Sequence, residues 1–178
     1  MSVKDAIDDL KNEITTAGIV PENGLGDELF LFSSTLSPVV NVDLIIFNNQ
    51  NQVLLTWRDD PYTGVGWHIP GGCIRIRETI ETRIQATAMN EIGAEVNYIP
   101  DPIAVYEVFN LEPREGIPDQ NERSHFITLA YICRLKNPIF LNERMQWIDD
   151  LPDDLLKCQD CYRTDWQKIK NKAIRWVL

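Results

Sequence analysis

Basic residues are in short supply in this chain. Lys and Arg number 17 against 27 Asp and Glu, a formal net charge of -10 over 178 residues. A surface of that sign repels phosphate polymers and anionic bilayers, so neither nucleic acid nor a membrane is an expected partner. A small anionic ligand would need a local cluster of Arg or Lys, or a metal ion, to overcome the field. Long apolar runs are also missing. None reaches the ~18 residues of a membrane span, and the opening Met1-Ser2-Val3-Lys4-Asp5 lacks a signal peptide's apolar stretch. Histidine occurs only twice, at His68 and His125, and a lone His is more often structural than catalytic. Four cysteines without a secretory pattern read as reduced thiols. Cys158-x-x-Cys161 has no second Cys or His pair to complete a zinc site. The expected setting is cytoplasmic.

With 44% hydrophobic residues, the chain has enough apolar material for one globular core. Residues 1–26 read as an amphipathic helix and a linker: Val3, Ile7, Leu10 and Ile14 share a stripe that Gly18 and Pro21 close. Such a helix packs on its own domain or on a partner subunit. Residues 27–178 form the main domain. Val39 to Phe47 is an apolar, β-branched run, the turn Asn48-Asn49-Gln50-Asn51 follows, and Val53 to Trp57 returns, which predicts a hairpin. Cys73 to Arg77 alternates polar and apolar residues. Residues 79–92 are helical, with Thr79 as N-cap, Ile80, Ile84 and Ala88 on one face, and Gly93 as the C-terminal glycine. Strands are expected at Ile103 to Val108, Phe126 to Cys133 and Arg144 to Ile148. A helix is expected around Asp153 to Leu156, and another from Thr164 with Trp166, Ile169, Ala173 and Val177 as its buried stripe. That order indicates α/β or α+β packing around one core.

The chemistry concentrates between Gly71 and Gly93. Five residues separate Gly72 from Glu78, and a helix then carries Glu91 to a position just before Ile92-Gly93. A glycine pair lets backbone approach a ligand closely and turn a carbonyl toward it. A carboxylate from a nearby helix adds a hard oxygen donor. Together they suit Mg²⁺, which takes one or two carboxylates along with water and substrate phosphate oxygens.

Gly72 to Ala94 resembles a degenerate Nudix box, whose pattern is G-x5-E-x7-R-E-U-x-E-E-x-G-U with U a bulky aliphatic. The chain keeps Gly72, Glu78, Glu91 and Gly93, but has Ala86 in place of Arg, and Thr87 and Asn90 in place of metal-binding Glu. Trp67-x-Ile69-Pro70-Gly71-Gly72 matches the family lead-in. Within the superfamily the chain is most similar to the GDP-mannose mannosyl hydrolases, which also lack the first two helix glutamates and keep the last. That similarity runs without a gap from Asp43 to Glu91 and includes Val42-Asp43, Leu54-Leu55-x-x-Arg58 and Met89-x-Glu91-x-Gly93, with His125 and Trp147 further on.

The resemblance implies the Nudix fold, a mixed β-sheet between helices. It implies a hydrolase that uses Mg²⁺, or Mn²⁺, to cleave a nucleoside diphosphate derivative, most closely a nucleotide sugar such as GDP-mannose, in a homodimer. Glu91 and the Gly71 carbonyl would bind metal, Arg58 would meet the leaving diphosphate, and Asp43 would be an active-site aspartate. His125 would touch substrate. The family arginine after the glycine pair is Cys73 here. Arg75, two residues on in an extended segment, would project from the same face and take its charge role, with Arg77 as a helper. The family's Gln and base His before the tryptophan are absent from Leu141-Asn142-Glu143-Arg144-Met145-Gln146, which leaves Glu143 as second metal ligand or general base. Glu78 would orient the loop without its usual arginine. Two alternatives stay open: a pyrophosphohydrolase attacking phosphorus in a nucleotide or an ADP-ribose-like substrate, and a catalytically weak nucleotide-sugar binding protein.

Overall fold

The computed structural model of the chain describes residues 1–113, 117 and 119–176. Two helices come first, α1 (Val3–Thr16) and α2 (Asp27–Ser34), followed by the strands β1 (Val39–Ile46), β2 (Val53–Asp60), β3 (Gly64–His68) and β4 (Gly71–Cys73). Helix α3 (Ile80–Ile92) precedes β5 (Val96–Tyr98), β6 (Ala104–Phe109), β7 (His125–Leu135) and β8 (Met145–Ile148), and α4 (Cys161–Arg175) ends the fold.

Two sheets result. In the first, β1 lies between β4, to which it is antiparallel, and β7, to which it is parallel. The far side of β7 carries β5 and β6, both antiparallel to it. In the second sheet β2 lies between β3 and β8, again antiparallel.

Helices cover both faces of β1, which is why residues 44–47 read as an unbroken apolar run. Val42, Leu44 and Ile46 pack with Ile84, Ala88 and Ile92 of α3, and Tyr131 and Cys133 of β7 join them. Ile45 points the other way, into a cluster with Ala130, Ile132 and the α4 residues Tyr162, Trp166, Ile169 and Ala173. Phe47 stacks on Trp166, ring centroids 6.0 Å apart. The mixed sheet flanked by helices is the architecture expected from the sequence. Asp43 is the acid within this buried strand.

Several local expectations change. The turn after β1 forms, with Asn48 Oδ1 accepting from the Gln50 and Gln52 amides at 2.9 Å. No hairpin follows, because β4 and β7 already occupy both edges of β1. Only a single bridge, Phe47 to Val53, joins the strands before they part into separate sheets. Residues 153–156 are a turn and not a helix: Trp67 donates to Asp154 and accepts from Leu156, so this stretch lies along β3. Strand β4 stops at Cys73, and the chain turns through Ile76 and Arg77, the latter at φ 59°. Ile80, expected on the buried face of α3, is 40% exposed. Helix α2 and strand β5 are not among the elements expected from the sequence. Val177 lies outside the described residues.

Helix α1 forms with a Ser2–Asp5 capping box, yet none of its residues is buried. Among the described residues no helix is long and apolar enough to cross a membrane. Deleting residues 1–18 is therefore expected to move Tm by no more than about 3 °C. Trp166→Ala, which empties the space between α4 and β1, is expected to cost about 3–5 kcal/mol in urea unfolding. A large destabilisation on deletion would mean that α1 is covered in the assembled protein.

Candidate active site

The site begins at the edge strand β4. Leu44 donates to the Pro70 carbonyl at 2.8 Å and Ile74 to the Val40 carbonyl at 2.9 Å. In the 44/70 and 40/74 register, Asp43 and Gly71 face each other as a non-hydrogen-bonded pair. The Gly71 carbonyl therefore points away from β1, toward the open edge. Both glycines are required by close approach. A Cβ on Gly71 would collide with the Asp43 carboxylate, and one on Gly72 with the Thr87 hydroxyl.

The loop after β4 is tied to the start of α3. Arg83 donates to both Glu78 oxygens, from Nε at 2.8 Å and from Nη2 at 2.6 Å, and the Arg75 amide donates to Glu78 at 2.9 Å. Glu78 thus keeps an arginine partner, correcting the expectation that Ala86 had removed it. The guanidinium comes from one helical turn earlier, and Arg83 is 5% exposed. Thr87 is buried beneath Gly72, and its hydroxyl has no hydrogen-bond partner among the described residues. Asn90 is exposed and does not line the cavity.

Glu91 is the α3 carboxylate that reaches inward. Arg58 Nη2 lies 3.3 Å from its Oε1, and His68 Nε2 lies 3.4 Å from its Oε2. Arg58 also pairs with Asp60 at 3.6 Å. His68 Nδ1 sits 2.8 Å from the Thr56 carbonyl, which orients the ring with Nε2 toward Glu91. Burial acts to raise the Glu91 carboxyl, but the hydrogen bond and charge of His68 and the charge of Arg58 outweigh it, and Glu91 stays below the usual carboxylate range.

Asp43, 3% exposed, is the most buried acid of the site. Tyr162 donates to its Oδ2 at 2.8 Å, Gln159 to the same oxygen at 3.2 Å, and Asn41 to Oδ1 at 2.8 Å. Gln159 is fixed in turn by the backbone of Ile69, accepting at 2.7 Å and donating at 3.0 Å. Burial nevertheless dominates these donors and the Arg58 charge, and pushes the Asp43 carboxyl up to about 7.

A cavity of about 530 Å³ connects these groups. Its lining brings together four residues expected from the sequence, Asp43, Arg58, Gly71 and Glu91, and adds Asp60, His68, Arg123 and Gln159. Three others lie elsewhere. Arg75 follows the end of β4 and lies near Gly24, because the segment does not stay extended past Cys73. Glu143 is an exposed loop residue outside the cavity, whose lining includes its neighbour Arg144. His125 stacks on Phe109 and meets Glu107 at 3.2 Å. Arg83 carried a legible signal, a basic residue one turn before the expected arginine. Gln159 and Tyr162 carried none, being more than 100 residues from Asp43 in sequence.

The donors on offer are hard oxygens: the Gly71 carbonyl that faces away from β1, the Glu91 carboxylate and, facing Gly71, Asp43. Among the described residues no three His, Cys, Asp or Glu side chains form a metal-binding group. The set fits an ion of the Mg²⁺ kind, which draws the rest of its shell from water and substrate phosphate. It does not fit an all-protein cage.

The Asp43 pKa has a consequence for stability. With a folded value of about 7 against an ordinary 3.8, the folded chain holds a proton that the unfolded chain releases. The stabilisation is complete below the unfolded value and is lost as pH rises through about 7. In EDTA, the Tm of the wild type is expected to fall between about pH 5 and pH 8 more steeply than that of Asp43→Asn. Equal slopes would show that Asp43 does not hold that proton.

The NUDIX domain family model matches residues 37–177. The ADP-ribose pyrophosphatase of Methanocaldococcus jannaschii is 29% identical over 97 residues, 54% of this chain and 51% of that protein. The low-salt glycan biosynthesis protein Agl8 of Haloferax volcanii is 30% identical over 95 residues, 53% of this chain and 57% of that protein. The chain thus spans about half the length of the curated relatives it matches. Among solved structures, a MutT NUDIX hydrolase from Burkholderia pseudomallei superposes with a TM-score of 0.56 at 19% identity, over 70% of this chain and 95% of that one. A structure described as a possible asymmetric diadenosine tetraphosphate hydrolase from Jonesia denitrificans gives 0.59 at 19%, over 78% and 98%. At such identities the structural likeness is one of fold. The family model covers well over half of the sequence, and the chain belongs to the NUDIX domain family.

Proposed function

We propose that this protein is a Mg²⁺-dependent hydrolase of nucleoside diphosphate derivatives, that its substrate is a nucleotide sugar such as GDP-mannose, and that water attacks the sugar carbon. The observation that carries this reading is that α3 turns one carboxylate, Glu91, into the cavity, against Arg58 and His68. The positions where the family pattern has further glutamates hold the buried Thr87 and the exposed Asn90. Such a site suits one divalent ion and leaves part of the diphosphate charge to arginine.

On this reading the Gly71 carbonyl and Glu91 hold the metal, which when bound withdraws charge from the diphosphate. Arg58 binds the leaving group. Its guanidinium is held at the cavity by Glu91 and Asp60, so little reorganisation separates it from a phosphate oxygen. Asp43 acts as a positioning residue. Braced by Tyr162, Gln159 and Asn41, it backs Gly71 and fixes the direction of the carbonyl. Glu143 and His125 stay outside this arrangement. The alternative, attack at phosphorus, draws support from the relative named as an ADP-ribose pyrophosphatase.

The test is a screen of nucleoside diphosphate sugars and ADP-ribose with Mg²⁺. Glu91→Gln is expected to lower turnover by at least ~100-fold, the scale for removing a principal charge-stabilising group. Unchanged turnover would remove Glu91 from the chemistry. In ¹⁸O-labelled water the label is expected in the free sugar, and its recovery in phosphate would establish the alternative.

A further inference from the structure

Arg123 is a cation of the cavity that the pairings above leave unused. Its guanidinium lies over three rings, 5.5 Å from Phe30 of α2, 5.3 Å from Tyr62 and 5.8 Å from Phe126 of β7. The backbone is locked as well. Arg123 sits at φ 50°, a left-handed conformation that residues other than glycine seldom adopt, and its amide donates to the buried Ser34 hydroxyl at 2.8 Å.

The side chain is therefore immobilised, yet its polar edge is not satisfied. Nε is buried with no hydrogen-bond partner, and among the described residues no carboxylate pairs with the guanidinium. Aromatic faces attract the charge of a guanidinium but accept few of its five N–H groups. In a chain where acids outnumber bases 27 to 17, a half-buried arginine that pairs with no acid among the described residues is a sign of an absent anion. Arg58, by contrast, is already shared between Glu91 and Asp60.

Register places that anion. Across the sheet, Cys73, Asn41 and Thr128 stand in one row, and Gly71, Asp43 and Ala130 in the next. Arg123 lies over Phe126, two residues before Thr128 on β7, and so stands on the Cys73 side of the cavity. The Cys73 and Gly71 rows are two strand residues, or roughly 6–7 Å, apart, within the reach of a diphosphate. Phe126, Thr128 and Gly72 line the same cavity.

We propose that Arg123 is a substrate-binding residue that receives the phosphate oxygens of the diphosphate farther from Gly71, the aromatic rings holding its planar fork ready. This inference rests on the reading of the cavity as a site for nucleoside diphosphate derivatives.

Binding of inorganic pyrophosphate with Mg²⁺, followed by calorimetry, tests it. Arg123→Met keeps an apolar stem over the rings and removes the charge. It is expected to weaken pyrophosphate at least tenfold with Tm little changed, and to raise KM for the substrate more than it lowers kcat. Arg123→Lys keeps the charge, loses the fork and is expected to fall between the two. Where Arg123→Met proves too unstable to assay, Arg123→Lys decides the matter by the same affinity measurement. Wild-type pyrophosphate affinity in the variants would overturn the proposal and make Arg123 a structural peg for α2. Failure of the wild type to bind pyrophosphate would overturn it too. Turnover in wild type and Glu91→Gln judges the hydrolase reading separately, so failure of this inference and failure of that reading are told apart.

Discussion

The glycine turn at the head of the cavity takes its position from how one buried carboxylate is accommodated. Asp43 stands on a strand covered by helices on both faces, where an acid without partners would be untenable. Three side chains from three parts of the chain converge on it, Asn41 from the same strand, Gln159 from the turn before α4 and Tyr162 from α4 itself. The same carboxylate leaves no room for a side chain on the facing residue. The first glycine of the motif is thus imposed by the strand beside it as much as by any ligand.

Charge is organised against the trend of the whole molecule. The chain is strongly acidic, yet the cavity gathers arginines from β2, from the loop before β7 and from the turn before β8. Arg58 reaches its place through Glu91 and Asp60, whereas Arg123 reaches its place through aromatic rings. These are two ways of holding a cation still. The first keeps it neutralised by carboxylates, and the second leaves its hydrogen-bonding edge open.

The sequence carried the parts of this arrangement that are local. The apolar run of β1, the Thr79 cap, the left-handed Gly93 and the sequence from Gly71 to Glu91 were legible because spacing along the chain determines them. The β1–β2 hairpin was misread because a turn signal says where the chain reverses, and not whether the returning strand finds a free edge. Arg75 was misread because polar and apolar residues alternate past Cys73 while the backbone has already left the strand. The contacts that brace Asp43 were invisible, since nothing local in Gln159 or Tyr162 points to a partner at the other end of the sequence.

The parallel pairing of β1 with β7 has a bearing on biogenesis. Their partners stand 87 residues apart, as in the bond between Thr128 and Asn41. While the chain emerges from the ribosome, β1 must wait, apolar on both faces, until β7 has been made. Its other neighbour, β4, is only three residues long and gives little cover in the interval. A nascent chain halted between the two halves would be a natural client for chaperones, and a fragment ending before β7 would be prone to aggregate.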